Sequence, residues 1–227
     1  MGTHRFPRAL LDLIFPRRCL GCGSLGSYFC SACHHAVQPL PEPFCPRCST
    51  PVDPLLPLCR CRGSAIPVVA AGVFDGPLRE AVHRLKYRGQ TAGAPALAEL
   101  LRPRLSLTAG NQLLVPIALH PARLRERGYN QSALLARALT AAKPEQLAEA
   151  ALRRVRRTDA QASLSASERA RNVDGAFRAD PRICAGRAIV LIDDVCTTGA
   201  TLRAAAEALR DAGATEVSAA VIAAAVS

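Results

Sequence analysis

The chain has no tryptophan, one methionine and only 4% aromatic residues. That is too few flat side chains to build a base-stacking platform for a nucleic-acid strand, so Tyr87 and Tyr129, although each lies near arginines, read as packing residues. Lysine is nearly missing as well: of 29 basic residues only Lys86 and Lys143 are lysines, which leaves 27 arginines. Neither lysine follows a glycine, so G-x-x-x-x-G-K-[ST] is absent, and with it the phosphate cradle of a P-loop ATPase. Long apolar runs are lacking too. The longest, "VSAAVIAAAV", falls far short of a bilayer span, and "RALLDLIFPRRC" is too short for an export-signal core and runs straight into a cysteine. The expectation is a cytoplasmic chain with reduced thiols and no membrane span.

What is present is a globular composition. The chain has 227 residues, 49% of them hydrophobic and 21% charged, with a formal net charge of +11. Arginine binds phosphate through a planar fork, so the surplus suits anionic ligands or nucleic acid. An Arg- and Ala-rich composition accounts for it equally well, so charge alone selects no partner.

Eight of the ten cysteines fall between Cys19 and Cys61, in a proline-rich segment. Cys19, Cys22, Cys30 and Cys33 form C-x2-C-x7-C-x2-C; Cys45, Cys48, Cys59 and Cys61 form C-x2-C-x10-C-x-C. Four thiolates suit tetrahedral zinc, and a tight C-x2-C turn lets two sulfurs reach one ion. The closing "CRC" strains the second set, so the segment is read as holding one or two structural zinc ions, the first quartet being the filled one if there is only one. Sequential quartets are favoured over interleaved ones, and His34 and His35 stand beside Cys33 as substitute ligands or as solvated neighbours. A boundary near residues 62–68 divides a cysteine-rich zinc-binding domain (1–65) from a second domain (66–227).

The second domain alternates its elements. "VVAAGVF", "QLLVPIAL", "AIVLIDDV" and "EVSAAVIAAAV" read as strands, and "PLREAVHRLKYRG", "YNQSALLARALTAA" and "TLRAAAEALRDAG" as helices. That order predicts an α/β fold with a parallel sheet covered by helices on both faces. The polar stretch at 156–178 reads as a mobile functional loop.

One strand ends in two carboxylates, Asp193 and Asp194, followed by Thr197, Thr198, Gly199, Ala200 and Thr201 before a helix. A loop at the carboxyl end of a parallel strand is where open α/β sheets bind ligands. Its backbone N–H groups and hydroxyls suit a phosphate monoester, and two acceptor-only carboxylates beside it suit the hydroxyls of a ribose. Cys196 and Cys184, with no visible histidine partner, read as small fillers.

This stretch resembles the phosphoribosyl-pyrophosphate signature of type I phosphoribosyltransferases. Together with "LKYRG", "VPIALHPARLRERGYNQS", "RTDAQASLSASERARNVDGAF" and the paired cysteine knuckles, it resembles the ComF family, including GntX-like members, over nearly the whole chain from Cys19. The resemblance implies a type I phosphoribosyltransferase-like sheet in which Asp193 and Asp194 bind the ribose hydroxyls and residues 197–201 hold the 5′-phosphate. It implies that Arg123, Arg125 and Arg127 are the pyrophosphate candidates, that Arg157, Gln161 and Arg169 lie on a loop closing over the site, and that Mg²⁺ accompanies phosphoribosyl pyrophosphate. The implied activity is phosphoribosyl transfer to an unidentified acceptor, in a setting of competence or DNA utilisation. Single-stranded DNA and a DNA-translocating helicase are the implied partners. The alternative is a non-catalytic module that senses the ligand and engages DNA-uptake machinery. No catalytic base is assigned, and two departures stand out: the Cys59-x-Cys61 spacing, and Ala200 where many such enzymes carry a second glycine.

Overall fold

The computed structural model describes residues 16–41, 43–46, 48, 50–52, 66–105, 111–156 and 173–225. Cys59, Cys61, Arg157, Gln161 and Arg169 lie outside them.

The elements after the cysteine-rich segment are β1 (Val68–Val73), α2 (Gly76–Tyr87), α3 (Ala94–Leu101), β2 (Gln112–Pro116), α4 (Pro121–Arg127), α5 (Gln131–Leu139), β3 (Leu152–Arg154), β4 (Phe177–Ala179), α6 (Pro181–Cys184), β5 (Ala188–Cys196), α7 (Ala200–Asp211) and β6 (Glu216–Ala224). A short helix, α1 (Ser31–His35), precedes them within the first cysteine quartet. Four strands form a parallel sheet in the order β1-β6-β5-β2, and β3 and β4 pair antiparallel as a separate ribbon. The middles of the four sheet strands are apolar because both faces are covered, and charge is confined to Glu216 at the start of β6 and to Asp193 and Asp194 near the end of β5. On one face Leu78, Leu85, Leu97, Leu101 and Leu135 from α2, α3 and α5 pack against Val190 and Ile192. On the other, Leu202, Ala205 and Leu209 from α7 pack with Ile189, Leu191 and Phe177.

The helices after β2 and β5 therefore leave to opposite faces although the two strands are neighbours. A crevice opens between them at their carboxyl ends, which is the switch point of the sheet. Register places the carboxylates there: Pro116, the end of β2, pairs with Ile192, so Asp193 is the first β5 residue beyond that edge.

Three elements differ from the sequence reading. "PARLRERG", given no secondary structure above, is a helix, started by Pro121 at its first position with His120 Nδ1 accepting from the Ala122 amide at 3.2 Å, and stopped by Gly128 at φ +81°. "ALAELL" forms α3, whose apolar face is buried. The polar stretch also ends earlier than 178: Ala176 and Phe177 are buried, and Phe177 begins β4.

The cysteine-rich segment contains two hairpins of one design. Arg18 bridges Leu25 and the Cys19 amide donates to Ser24 O at 2.8 Å; Phe44 bridges Pro51 and the Cys45 amide donates to Thr50 O at 2.9 Å. The first sits against α2 and α3. Arg84 donates to Cys19 O at 2.8 Å, and a methyl group placed on Gly93 would come within 2.4 Å of Leu20. The second continues into the sheet, because Phe44 exchanges both backbone hydrogen bonds with Val68 at 2.9 and 3.0 Å.

Candidate functional site

In the first quartet the sulfurs of Cys19, Cys22, Cys30 and Cys33 all lie within 4.8 Å of one another. The Cys19–Cys33 and Cys22–Cys30 separations are 3.6 and 3.7 Å. Zn–S bonds of about 2.3 Å place tetrahedral sulfurs about 3.8 Å apart, so the four thiols fit zinc as they stand. His34 and His35 are exposed, and the cluster is complete without them. Four sulfurs leave no open coordination position, which makes the site structural. Of the second quartet only Cys45 and Cys48 are described.

The crevice at the switch point is a cavity of about 220 Å³ lined by Lys86, Arg123, Arg127, Arg154, Asp193, Asp194 and residues 195–202, among others. Both aspartates are buried, at 8% and 2% exposure. Asp193 accepts from Ser132 Oγ at 2.8 Å and from the Asp194 amide at 2.9 Å. Burial, then the neighbouring Asp194 charge, pushes its carboxyl well above the usual carboxylate range. Asp194 faces Lys86 Nζ at 2.8 Å. Burial alone would pull Lys86 down, but the Asp194 and Asp193 charges outweigh it and hold the ammonium above the ordinary lysine value.

Lys86 was quoted within "LKYRG" without a role. A lysine in the last turn of a helix is ordinarily explained by the helix dipole, and its scarcity in this chain is the one signal that sets it apart. The "YNQS" stretch is the frame behind the acidic pair. Tyr129 OH donates to Leu85 O, next to Lys86. Asn130 caps α5 by accepting from the Ser132 amide at 3.0 Å and donates to Ile117 O at 3.0 Å. Gln131 accepts from Arg127, and Ser132 holds Asp193.

Helical geometry sorts the three arginines of α4. Arg123 and Arg127 are four residues apart on one face and line the cavity, whereas Arg125 is exposed and does not. A further arginine, Arg154, reaches the cavity from β3 over the Phe177 ring, 5.4 Å from its centroid. Burial, and then the positive charge of Arg123, lowers the Arg154 pKa. Cations crowded into a half-enclosed space favour an anionic ligand.

At the mouth, Tyr87 is 67% exposed, with Arg127 over its ring at 5.5 Å and His83 tilted against it at 5.0 Å. It is a rim residue rather than a packing residue, whereas Tyr129 is half-buried with its hydroxyl donating to Leu85 O.

The loop leads directly into α7. Gly199 is its N-cap at φ +66° with no side-chain cap, so the first amides of this 12-residue helix face the cavity. Arg203 Nη1 donates to Thr198 O at 2.7 Å from below. Ala200 is buried in the first turn. Burial, with Asp193 next, pushes the Cys196 thiol up to about 12, so Cys196 is an inert filler. Cys184 is fully buried on the far side, its thiol raised chiefly by burial.

A parallel sheet with an acidic pair and an anion loop at its switch point, preceded by a four-cysteine ribbon, defines a phosphoribosyltransferase-type protein with a zinc-binding extension. A phosphoribosyl transferase domain model matches residues 127–227, and a double zinc ribbon domain model matches residues 10–65. The chain is 35% identical over 198 residues to DNA utilization protein YhgH of Escherichia coli K12, covering 83% of this chain and 86% of that one. It is 28% identical over 219 residues to Competence protein F of Haemophilus influenzae, covering 89% and 95%, and 29% identical over 195 residues to Competence protein ComFC of Bacillus subtilis, covering 81% and 78%. The chain belongs to the ComF family. No helix among the described residues is long and apolar enough to cross a membrane.

Proposed function

We propose that this chain binds phosphoribosyl pyrophosphate with Mg²⁺ in the switch-point cavity and transfers the phosphoribosyl group to an acceptor. The observation that carries this reading is the acidic pair at the end of β5, set between an uncapped helix N-terminus and a cluster of arginines. Asp193 and Asp194 accept hydrogen bonds from the ribose hydroxyls, and residues 197–201 donate to the 5′-phosphate. Arg123, Arg127 and Arg154 take the diphosphate, while Arg157, Gln161 and Arg169, which the resemblance assigns to a closing loop, lie outside the described residues. The bond between ribose C1 and the diphosphate oxygen breaks, a bond to the acceptor forms, and the acceptor loses a proton. Arginines stabilise the departing charge, and exclusion of water protects the cationic carbon. The donor set fits a Mg²⁺ that arrives with the ligand's oxygens, since Asp193 and Asp194 already serve Ser132 and Lys86; bound there, the ion would neutralise the leaving diphosphate.

The names of the relatives favour a setting in DNA utilisation or competence; single-stranded DNA and a DNA-translocating helicase as partners, and a cytoplasmic location, are what we propose on the resemblance of the sequence alone. In the alternative, the same cavity senses the ligand without turnover; pyrophosphate release with a panel of acceptors separates the two.

The Lys86–Asp194 contact decides which variant tests binding. Replacing both aspartates would strand a buried ammonium, whereas Asp193→Asn leaves that pair intact and keeps an acceptor for Ser132. Calorimetry with Mg²⁺ and phosphoribosyl pyrophosphate should show about tenfold to hundredfold weaker binding in Asp193→Asn, at unchanged zinc content. Equal binding by the variant, or no Mg²⁺-dependent binding by the wild type, overturns the reading.

A further inference from the structure

The second cysteine hairpin reaches the far side of the anion loop. A methyl group on Gly199 would come within 2.5 Å of Pro46 Cβ and 2.6 Å of Pro46 Cγ, so the proline ring lies directly on the Gly199 α-carbon. Pro46 is buried, and it follows Cys45, which is 1% exposed. This hairpin is not a loose flap. Phe44, two residues before the proline, is buried in the core and pairs with Val68 through both of its backbone groups.

The loop on the inner side needs such a support. Gly199 holds a left-handed conformation at φ +66° and Thr197 is exposed. Each residue of a loop left to itself must be ordered when a ligand binds, which costs backbone entropy. Arg203 fixes Thr198 from the helix side. Pro46, with its φ locked by the ring, closes the opposite side.

We propose that Pro46 is a positioning residue of the anion site: the Cys45–Cys48 hairpin is its outer wall, and contact of Pro46 with Gly199 holds the loop in the shape that receives a phosphate monoester. The inference deepens the phosphoribosyl reading and rests on it for the identity of the ligand, but the mechanical part stands apart from that ligand. Glycine is required at 199 by the proline as well as by φ, and the cysteine-rich segment belongs to the site rather than merely preceding it.

The test compares Pro46→Gly, which removes both contacting carbons, with Pro46→Ala, which keeps Cβ. Zinc per chain serves as the check that the first ribbon is folded. In the full-length protein without ligand, hydrogen exchange of a peptide covering residues 197–203 should quicken in Pro46→Gly, and less in Pro46→Ala, with β5 amides before Asp193 unchanged. Ribose 5-phosphate, which engages the loop, should bind about fivefold to tenfold more weakly to Pro46→Gly, whereas Mg²⁺-pyrophosphate, which engages the arginines, should change less than about twofold. Unchanged exchange at 197–203 overturns the proposal even if the wild type binds no sugar phosphate, an outcome that would sink the ligand reading separately. Equal weakening of both ligands also overturns it, because that is the mark of general destabilisation.

Discussion

The two cysteine hairpins share a backbone design but are used differently. The first rests on the outside of α2 and α3, through Leu20 on Gly93 and Arg84 on Cys19. The second extends the sheet at Val68 and touches the loop at Gly199. Each carries a C-x2-C knuckle, and what differs is the surface each meets. The first supports the helix that carries Lys86, at a distance from the cavity, and the second is in contact with the cavity wall.

The largest effect should come from breaking the first hairpin. Structural zinc supplies about 10–16 kcal/mol to small ribbons, so Cys33→Ser should lose zinc and show the deepest fall in melting temperature of any single change. Cys48→Ser should leave the melting temperature much closer to wild type while weakening ribose 5-phosphate. Metal analysis with calorimetry checks both, and a similar fall in the two variants would erase the contrast. Next in size is Lys86→Met at the end of the helix that the first hairpin supports. It leaves the buried Asp194 without its cation, which costs about 3–5 kcal/mol. Thermal unfolding reads it, and a variant as stable as wild type would show that the ion pair is dispensable.

The smallest effect is a pH dependence confined to the loop side. Because the Asp193 pKa is raised in the folded state, the native protein keeps a proton there that the unfolded chain has released above about pH 4. Stability from this group is therefore present at low pH and lost as pH rises toward about 7. Lys86, held above the ordinary lysine value, stays charged throughout that window. The wild type should lose about 5–10 °C more in melting temperature between pH 5 and pH 8 than Asp193→Asn does, the equivalent of about 2–3 kcal/mol in a chain of this size. Parallel curves would remove Asp193 as the source.

Local chemistry made much of this fold legible. Four apolar runs became the four sheet strands, the aspartates and the loop stood out because a buried strand rarely ends in two charges, and cysteine spacing located the first metal site. Pro121 and Gly128 are the ordinary start and stop signals of the short helix between them. What stayed hidden depends on contacts between distant residues. Lys86 finds Asp194 only when the helix after β1 crosses the end of β5. Arg154 is unremarkable until β3 aims it over Phe177, and nothing in "CPRC" says that its proline will meet a glycine near the other end of the chain.

The order β1-β6-β5-β2 also sets a timetable for synthesis. The last strand made, β6, is the one that sits between β1 and β5. Val68 must wait for Ala219, and Ala188 for Glu216, before either strand gains that neighbour. The four cysteines of the first quartet, complete by Cys33, can capture metal while the ribosome is still reading the rest of the message. The sheet, and the cavity at its switch point, can close only when the final strand has left the exit tunnel.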